Sequence, residues 1–236
     1  MQFDMRQLPR ASRYKILGSS VTPRPIAWVT SRSAAGVVNA APYSFFNVMG
    51  DDPPTMALGL LAPEGGGYKD TAANIIATGE FVVNLVAETD AAVMNLTCMS
   101  TPPDFSEIEN FEIPTSPSAA VAPPRIASAP VSFECKTLTV VNTGPRQVAV
   151  IGEVLIAHVA DAYVLDAERL YLDTLGMGLI ARMHGAGWYA RSTDLFQMDR
   201  PRYEAWLGNQ VDSRASSLSL MIRTTTPGPP DKTPGV

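Results

Sequence analysis

Short apolar runs rich in Val, Ile, Phe and Thr, bounded by Gly, Pro, Asn and Asp, recur along the chain at 26–31, 37–39, 55–61, 80–86, 131–141, 147–159 and 187–196. Side chains alternate between the two faces of a strand, and β-branched and aromatic residues fit a pleated, half-buried surface, so these runs read as strands. Helical spacing is rarer. It is found at 71–78, with Gly79 as a stop, at 87–99, with an Ala, Met and Leu face, and in a short piece at 166–171. Strands and helices do not alternate regularly, and no GxGxxG opens a helix after a strand, which excludes a Rossmann dinucleotide domain. A mainly β chain with few helices is expected to close an antiparallel barrel, because closure removes exposed strand edges.

The stretch VTPRPIAWVTSRSAAGVVNAAPYSFFN at 21–47 departs from a plain core hairpin. Pro23 and Pro25 cannot donate ladder hydrogen bonds and should lead into the strand at 26–31 from its edge. Gly36 suits the turn into a return strand at 37–39. Pro42 is expected to stop regular pairing there, leaving backbone groups around Tyr43, Ser44, Phe45, Phe46 and Asn47 for a partner. A planar amphipathic cofactor would use such a surface, although aromatic residues in this setting also read as barrel core.

A second candidate lies at APEGGGYKDTAANI, where glycines precede a helix start. The N–H groups of a helix N-terminus carry positive partial charge, and Lys69 adds a full one, so Lys69, Asp70, Thr71 and Asn74 could seat a phosphate; Asp70 or Thr71 reads equally as a simple N-cap. Arg24, between two prolines, is a further candidate cation or an ordinary ion-pairing residue. His184, in the glycine-flanked turn RMHGAGWYAR, could bond a ring, help seat a nicotinamide or move a proton, and reads also as a turn histidine. His158, inside VLIAHVA, reads as a hydrogen-bonded barrel histidine. GxSxG, HExxH and GxxxxGK[ST] are missing, so hydrolase and NTPase chemistry lack support.

Composition narrows the partners. A chain of 236 residues and 25.3 kDa suits one domain, expected over 1–208, with a mobile Ser/Thr/Pro-rich tail at 209–236. The proline-rich segment 101–130 contains Phe105, Ile108, Phe111 and Ile113 and is expected to pack on the barrel or on a second subunit. Charged residues make up only 17%, a shortage that a buried subunit interface would explain. Net charge of −5 argues against a nucleic-acid surface. Cys98 and Cys135 lack metal-ligand spacing and read as buried thiols. Neither a signal-peptide core nor a membrane-spanning apolar run is present, so a cytoplasmic protein is expected.

Three blocks in order, PRPIAWVTS with NAAPYSFFN, KDTAANI, and RMHGAGWYARSTDLFQMDRP, resemble the flavin reductase-like family of FMN-binding split β-barrels, over residues 10–203. The resemblance implies a Greek-key-like antiparallel barrel with peripheral helices that forms a homodimer. It implies FMN as cofactor, with FAD as an alternative, and NADH or NADPH as electron donor. Asn39, Ala41, Pro42, Tyr43 and Ser44 would contact the flavin ring, and Thr30 or Ser31 the ribityl chain. Lys69, Asp70 and Thr71, with Arg24, would hold the phosphate, and His184 would be the catalytic candidate. The implied activity is hydride transfer from the nicotinamide to flavin, which then supplies a monooxygenase or another acceptor. Two alternatives stay open: a tight-FMN electron carrier or small-molecule oxidoreductase, and a flavin-binding protein without catalysis. The APYSFF segment resembles the Pro-Tyr-Ser branch of the family rather than its Ser/Thr-rich reductases, which leaves the substrate open.

Overall fold

A computed structural model describes residues 1–63, 66–102, 105–203 and 206. Seven strands, β1 (Ala27–Arg32), β2 (Val38–Tyr43), β3 (Phe46–Asp51), β4 (Pro54–Leu61), β5 (Glu80–Leu85), β6 (Val131–Gly144) and β7 (Gln147–Val159), form one antiparallel sheet in the order β2-β1-β5-β6-β7-β4-β3. The end strands β2 and β3 are consecutive in the chain, joined only by Ser44 and Phe45. A connection that short forces the two edges of the sheet toward each other, so the sheet curls into a barrel. The Gly59 N–H bonds the Phe45 carbonyl at 2.7 Å and ties this junction to β4. The fold is the mainly β split barrel that the sequence implied.

Strand β1 is buried on both faces. Ala27 and Val29 face a core with Leu58, Ile75, Phe81 and Val150, whereas Ile26 and Trp28 face a second core with Val86, Met94, Ile113 and Ile126. The alternation of a strand thus divides adjacent residues between the barrel interior and a layer packed on its outside. That layer is the proline-rich excursion. Its helix α4 (Glu107–Asn110) follows α1 (Arg10–Ser20), α2 (Asp70–Thr78) and α3 (Ala91–Leu96). Ile113, Ile126 and Ala129 are buried here and Ile108 and Phe111 pack against them, so the excursion docks on the barrel.

Several elements differ from the sequence reading. Pro42 does not end β2, which pairs with β1 as far as Tyr43↔Ala27. At a sheet edge the missing N–H of proline costs no ladder bond. The expected helix at 166–171 is a small hairpin, Val164–Asp166 with Tyr171–Leu172, and Leu170 sits at φ 58°, incompatible with a right-handed helix. The expected helix at 87–99 is a 3₁₀ turn, Glu88–Asp90, followed by the shorter α3. The run 187–196 contributes only Tyr189–Arg191, paired with Ile180–Arg182, which in turn pairs with Arg24–Pro25. Cys135 is buried as expected, but Cys98 is exposed.

Met1–Arg191 form one compact unit and Ser192–Val236 a second, within which Tyr203 stacks on Trp206 at 5.9 Å. The tail expected at 209–236 lies outside the described residues. Among the described residues no helix is long and apolar enough to cross a membrane.

Candidate functional site

Helix α2 carries its own boundaries in the sequence. Gly66 and Gly67 take positive φ ahead of it, Lys69 is its extended N-cap, and Gly79 closes it at φ 73° with its N–H on the Ile75 carbonyl. Ala72 and Ile75 bury its apolar side in the barrel core. Thr71 and Asn74 are buried as well, which places two polar side chains where each needs a partner. They find them on the first two strands: the Thr71 hydroxyl donates to Asn39 Oδ1 at 2.6 Å, and Asn74 Nδ2 donates to Ser31 Oγ at 3.1 Å.

Asn39, in turn, donates its amide to Glu107 Oε2 at 2.9 Å, and the Ala40 N–H donates to the same oxygen at 3.2 Å. The Thr101 hydroxyl reaches Glu107 Oε1 at 3.0 Å. The α4 N-cap Ser106 anchors this helix on β2 by donating to the Val38 carbonyl at 2.7 Å. Three elements far apart in sequence are thereby locked together around one cavity.

This cavity, of ≈ 310 Å³, is walled by Asn39, Ala41, Pro42 and Tyr43 from β2, by Pro63 and 68–71 at the approach to and start of α2, by 97–101 directly after α3, and by Glu107 of the excursion. It lies at the lower end of the range, roughly 300–1,000 Å³, found for small-molecule sites. Its wall mixes flat apolar surface, Ala41 and Pro42, with a phenol, a helix N-terminus and a lysine. Burial pushes the Tyr43 phenol up to about 12; Asp70 and Glu107 add to the rise, and a hydrogen bond with Thr71 opposes it. Tyr43 therefore keeps its proton at neutral pH. Tyr68 and Lys69 also line a second cavity of ≈ 230 Å³, bounded by Leu60, Ala62, Asn142 and Gln147.

Of the residues singled out in the sequence, Asn39, Ala41, Pro42, Tyr43, Lys69, Asp70 and Thr71 meet at this wall. Four do not. Arg24 is buried and spends its guanidinium on the carbonyls of Gly18 and Val21, both at 2.7 Å, and of Met183 at 2.9 Å, with Ser44 Oγ at 3.4 Å. Arg24 and Ser44 thus form a clasp between the end of α1 and the turn at 183. Thr30 is fully buried and donates to the Pro124 carbonyl at 2.5 Å. His184 is exposed and stacks on Trp188, with centroids 6.3 Å apart and planes 10° from parallel. His158 has its expected partner: Nε2 lies 2.6 Å from Glu134 Oε1. Glu107 and 97–101 were not foreseen, and nothing in the sequence separates Glu107 from its acidic neighbours Asp104, Glu109 and Glu112.

A family model described as the flavin reductase like domain matches residues 19–174. An uncharacterized protein of Deinococcus radiodurans is 39% identical over 208 residues, covering 86% of this chain and 91% of that one. Among solved structures, Pseudomonas fluorescens 2-nitrobenzoate 2-nitroreductase NbaA superposes with a TM-score of 0.78 at 33% identity, over 86% of this chain and 98% of its own. Nitrilotriacetate monooxygenase component B from Bacillus cereus does so with a TM-score of 0.79 at 31% identity, over 84% and 98%.

Proposed function

Because the chain belongs to the flavin reductase-like family, we propose that the cavity between β2 and α2 binds FMN and that the protein uses it to oxidise NADH or NADPH. The observation that carries this reading is the meeting, in one wall, of a flat surface at Ala41, Pro42 and Tyr43 with Lys69 at the start of α2. The residues fit the cofactor. Lys69 is the N-cap residue of α2, so its charge and the positive helix end favour a phosphate together. When bound, FMN supplies a ring that takes up and releases hydride.

The remaining work falls to the chain. Pro42 and Ala41 cover apolar surface and keep water off it. Tyr43, protonated at neutral pH, offers a hydroxyl to a polar group. Asn39 and Thr71 have their side-chain bonds already satisfied within the protein, so they hold shape rather than rearrange on binding, which lowers the cost of ordering a ligand. Asp70, beside Lys69, limits net positive charge at the phosphate end. The chain would act as a cytoplasmic homodimer whose reduced flavin passes to an acceptor.

Two acceptors have support of different kinds. The neighbour named as a monooxygenase component B supports transfer to a partner monooxygenase. The neighbour named as a 2-nitroreductase supports a flavin that stays bound and reduces a small nitroaromatic acid. An anaerobic absorbance titration of the purified protein with FMN, then NADH, then NADPH, then 2-nitrobenzoate, separates them. Perturbed flavin bands that bleach with a nicotinamide support the reductase. Recovery of the bands on adding 2-nitrobenzoate favours the second acceptor, and recovery only with oxygen or a monooxygenase favours the first. A spectrum identical to free FMN overturns the reading.

A further inference from the structure

We infer that Glu107 is a positioning residue of this cavity that also sets the charge felt by a bound flavin. Glu107 is only 3% exposed, yet it lines the cavity and reaches β2 and the 97–101 wall at once. Two fixed donors, the Asn39 amide and the Ala40 N–H, converge on Oε2, and the Thr101 hydroxyl, which can donate or accept, meets Oε1. Oε2 is therefore held as an acceptor by two N–H donors.

The positioning follows from the amide it holds. Asn39 can present either its NH₂ or its oxygen to a neighbour, and which end faces which is decided by the partners. Because Oε2 accepts, the NH₂ end is drawn to it and Oδ1 is left for the Thr71 hydroxyl, at 2.6 Å on the first turn of α2. Glu107 thus fixes, through one amide, the register of β2 against the helix end that carries Lys69. The Ala40 N–H, on a strand that ends the sheet order among the described residues, gains its acceptor from the same oxygen.

The charge has a second consequence. A negative group in a low-dielectric wall opposes the addition of electrons to a flavin alongside it more than it opposes the oxidised form. Removing that charge while keeping the hydrogen bonds would therefore favour reduced flavin. Glu107→Gln does this: the Gln carbonyl replaces Oε2 for Asn39 and Ala40, and its NH₂ meets the Thr101 hydroxyl, which rotates to accept. Glu107→Ala removes both the charge and the anchor.

This role presupposes flavin in the cavity, so wild type is titrated first. Failure of wild type to bind FMN overturns the flavin reading and this role with it. With wild-type binding established, FMN affinity by fluorescence quenching and midpoint potential by dye-coupled reduction are measured on both variants. E107Q is expected to bind FMN within about threefold of wild type and to favour reduced over oxidised flavin by roughly tenfold more, about 30 mV upward for a two-electron couple. E107A is expected to lose FMN affinity by about tenfold or more. A midpoint potential of E107Q equal to that of wild type overturns the proposal alone, whether or not E107A folds, and leaves the flavin reading standing.

Discussion

Two candidate phosphate cations, Arg24, which is buried, and Lys69, which is exposed at the cavity wall, have opposite fates, and the difference is testable at single residues. Lys69 lines the cavity, whereas Arg24 is consumed by three backbone carbonyls. Lys69→Ala should weaken FMN binding by roughly tenfold to a hundredfold, the range for a lost charge-assisted bond of about 1.5–3 kcal/mol, with little change in thermal stability. Arg24→Ala should do the reverse, lowering stability by about 3 kcal/mol as buried carbonyls lose their donor, with FMN affinity retained by the folded fraction. Isothermal titration and thermal melts on both variants decide, and an Arg24→Ala protein that melts like wild type would remove the clasp. Glu134 is a third case, fully buried and surrounded by the N–H groups of Ala119, Ala120 and Val121 and by His158. Burial raises its pKa, but the bonds from Ala119, Ala120 and His158 outweigh this and leave it below the ordinary value of 4.5. A carboxylate depressed in the folded state contributes stability that is present above its unfolded pKa and is lost as pH falls through the folded one. Glu134→Gln should therefore lower the melting temperature at pH 7, and the gap to wild type should shrink on titration below about pH 4. A gap that is constant with pH would deny the carboxylate this role.

At the scale of elements, close packing between strands sets where substitution is tolerated. A Cβ built on Gly152 of β7 would lie 2.5 Å from Cζ and 2.9 Å from Cε1 of Phe81, a ring with no exposed surface in which to shift. Gly152→Ala should cost about 1–3 kcal/mol by overpacking, read from denaturant unfolding. Gly144→Ala, whose nearest contact is the flexible Gln147 side chain at 3.5 Å, should be within about 0.5 kcal/mol of wild type. Equal effects of the two substitutions would show that the contact with Phe81 does not limit the barrel. The strands of this barrel were legible where alternation was strong, as in β4, β6 and β7. Strand β3 was not, because every residue after Phe46 is exposed and no burial pattern marks it. Helix α1 was not, because Gly18 is its one buried residue and no side chain caps its start. The site was legible in proportion to its contiguity: Asn39–Tyr43 and Lys69–Thr71 are each a short block. Glu107 joins Asn39 across 68 residues, and only the docking of the excursion on β2 brings them together. Arg24, by contrast, reads in the sequence as a phosphate cation, and the carbonyls that occupy it are two local ones, Gly18 and Val21, and one from a turn 159 residues away, Met183.

For the molecule as a whole, the barrel has more apolar surface than its two cores consume. One core fills the interior and the other lies under the excursion, so both faces of β1 are used. Farther around the sheet the balance changes. Leu138 and Val141 of β6 are 51% and 47% exposed, and Val48 and Met49 of β3 are 65% and 63% exposed. Single exposed apolar residues are ordinary on a protein surface, but several on strands of one sheet, in a chain with only 17% charged residues, favour a further covering surface. The second copy of the chain proposed above would cover them, and association would remove these side chains from water at about 25 cal/mol per Å² of apolar area. Sedimentation equilibrium should therefore return twice the 25.3 kDa chain mass, and Leu138→Glu combined with Val141→Glu should shift the distribution toward one chain. A wild-type mass of one chain across the micromolar range would place the whole flavin site within a single subunit. A dimer unaffected by the double variant would instead move its interface away from β6, toward β3.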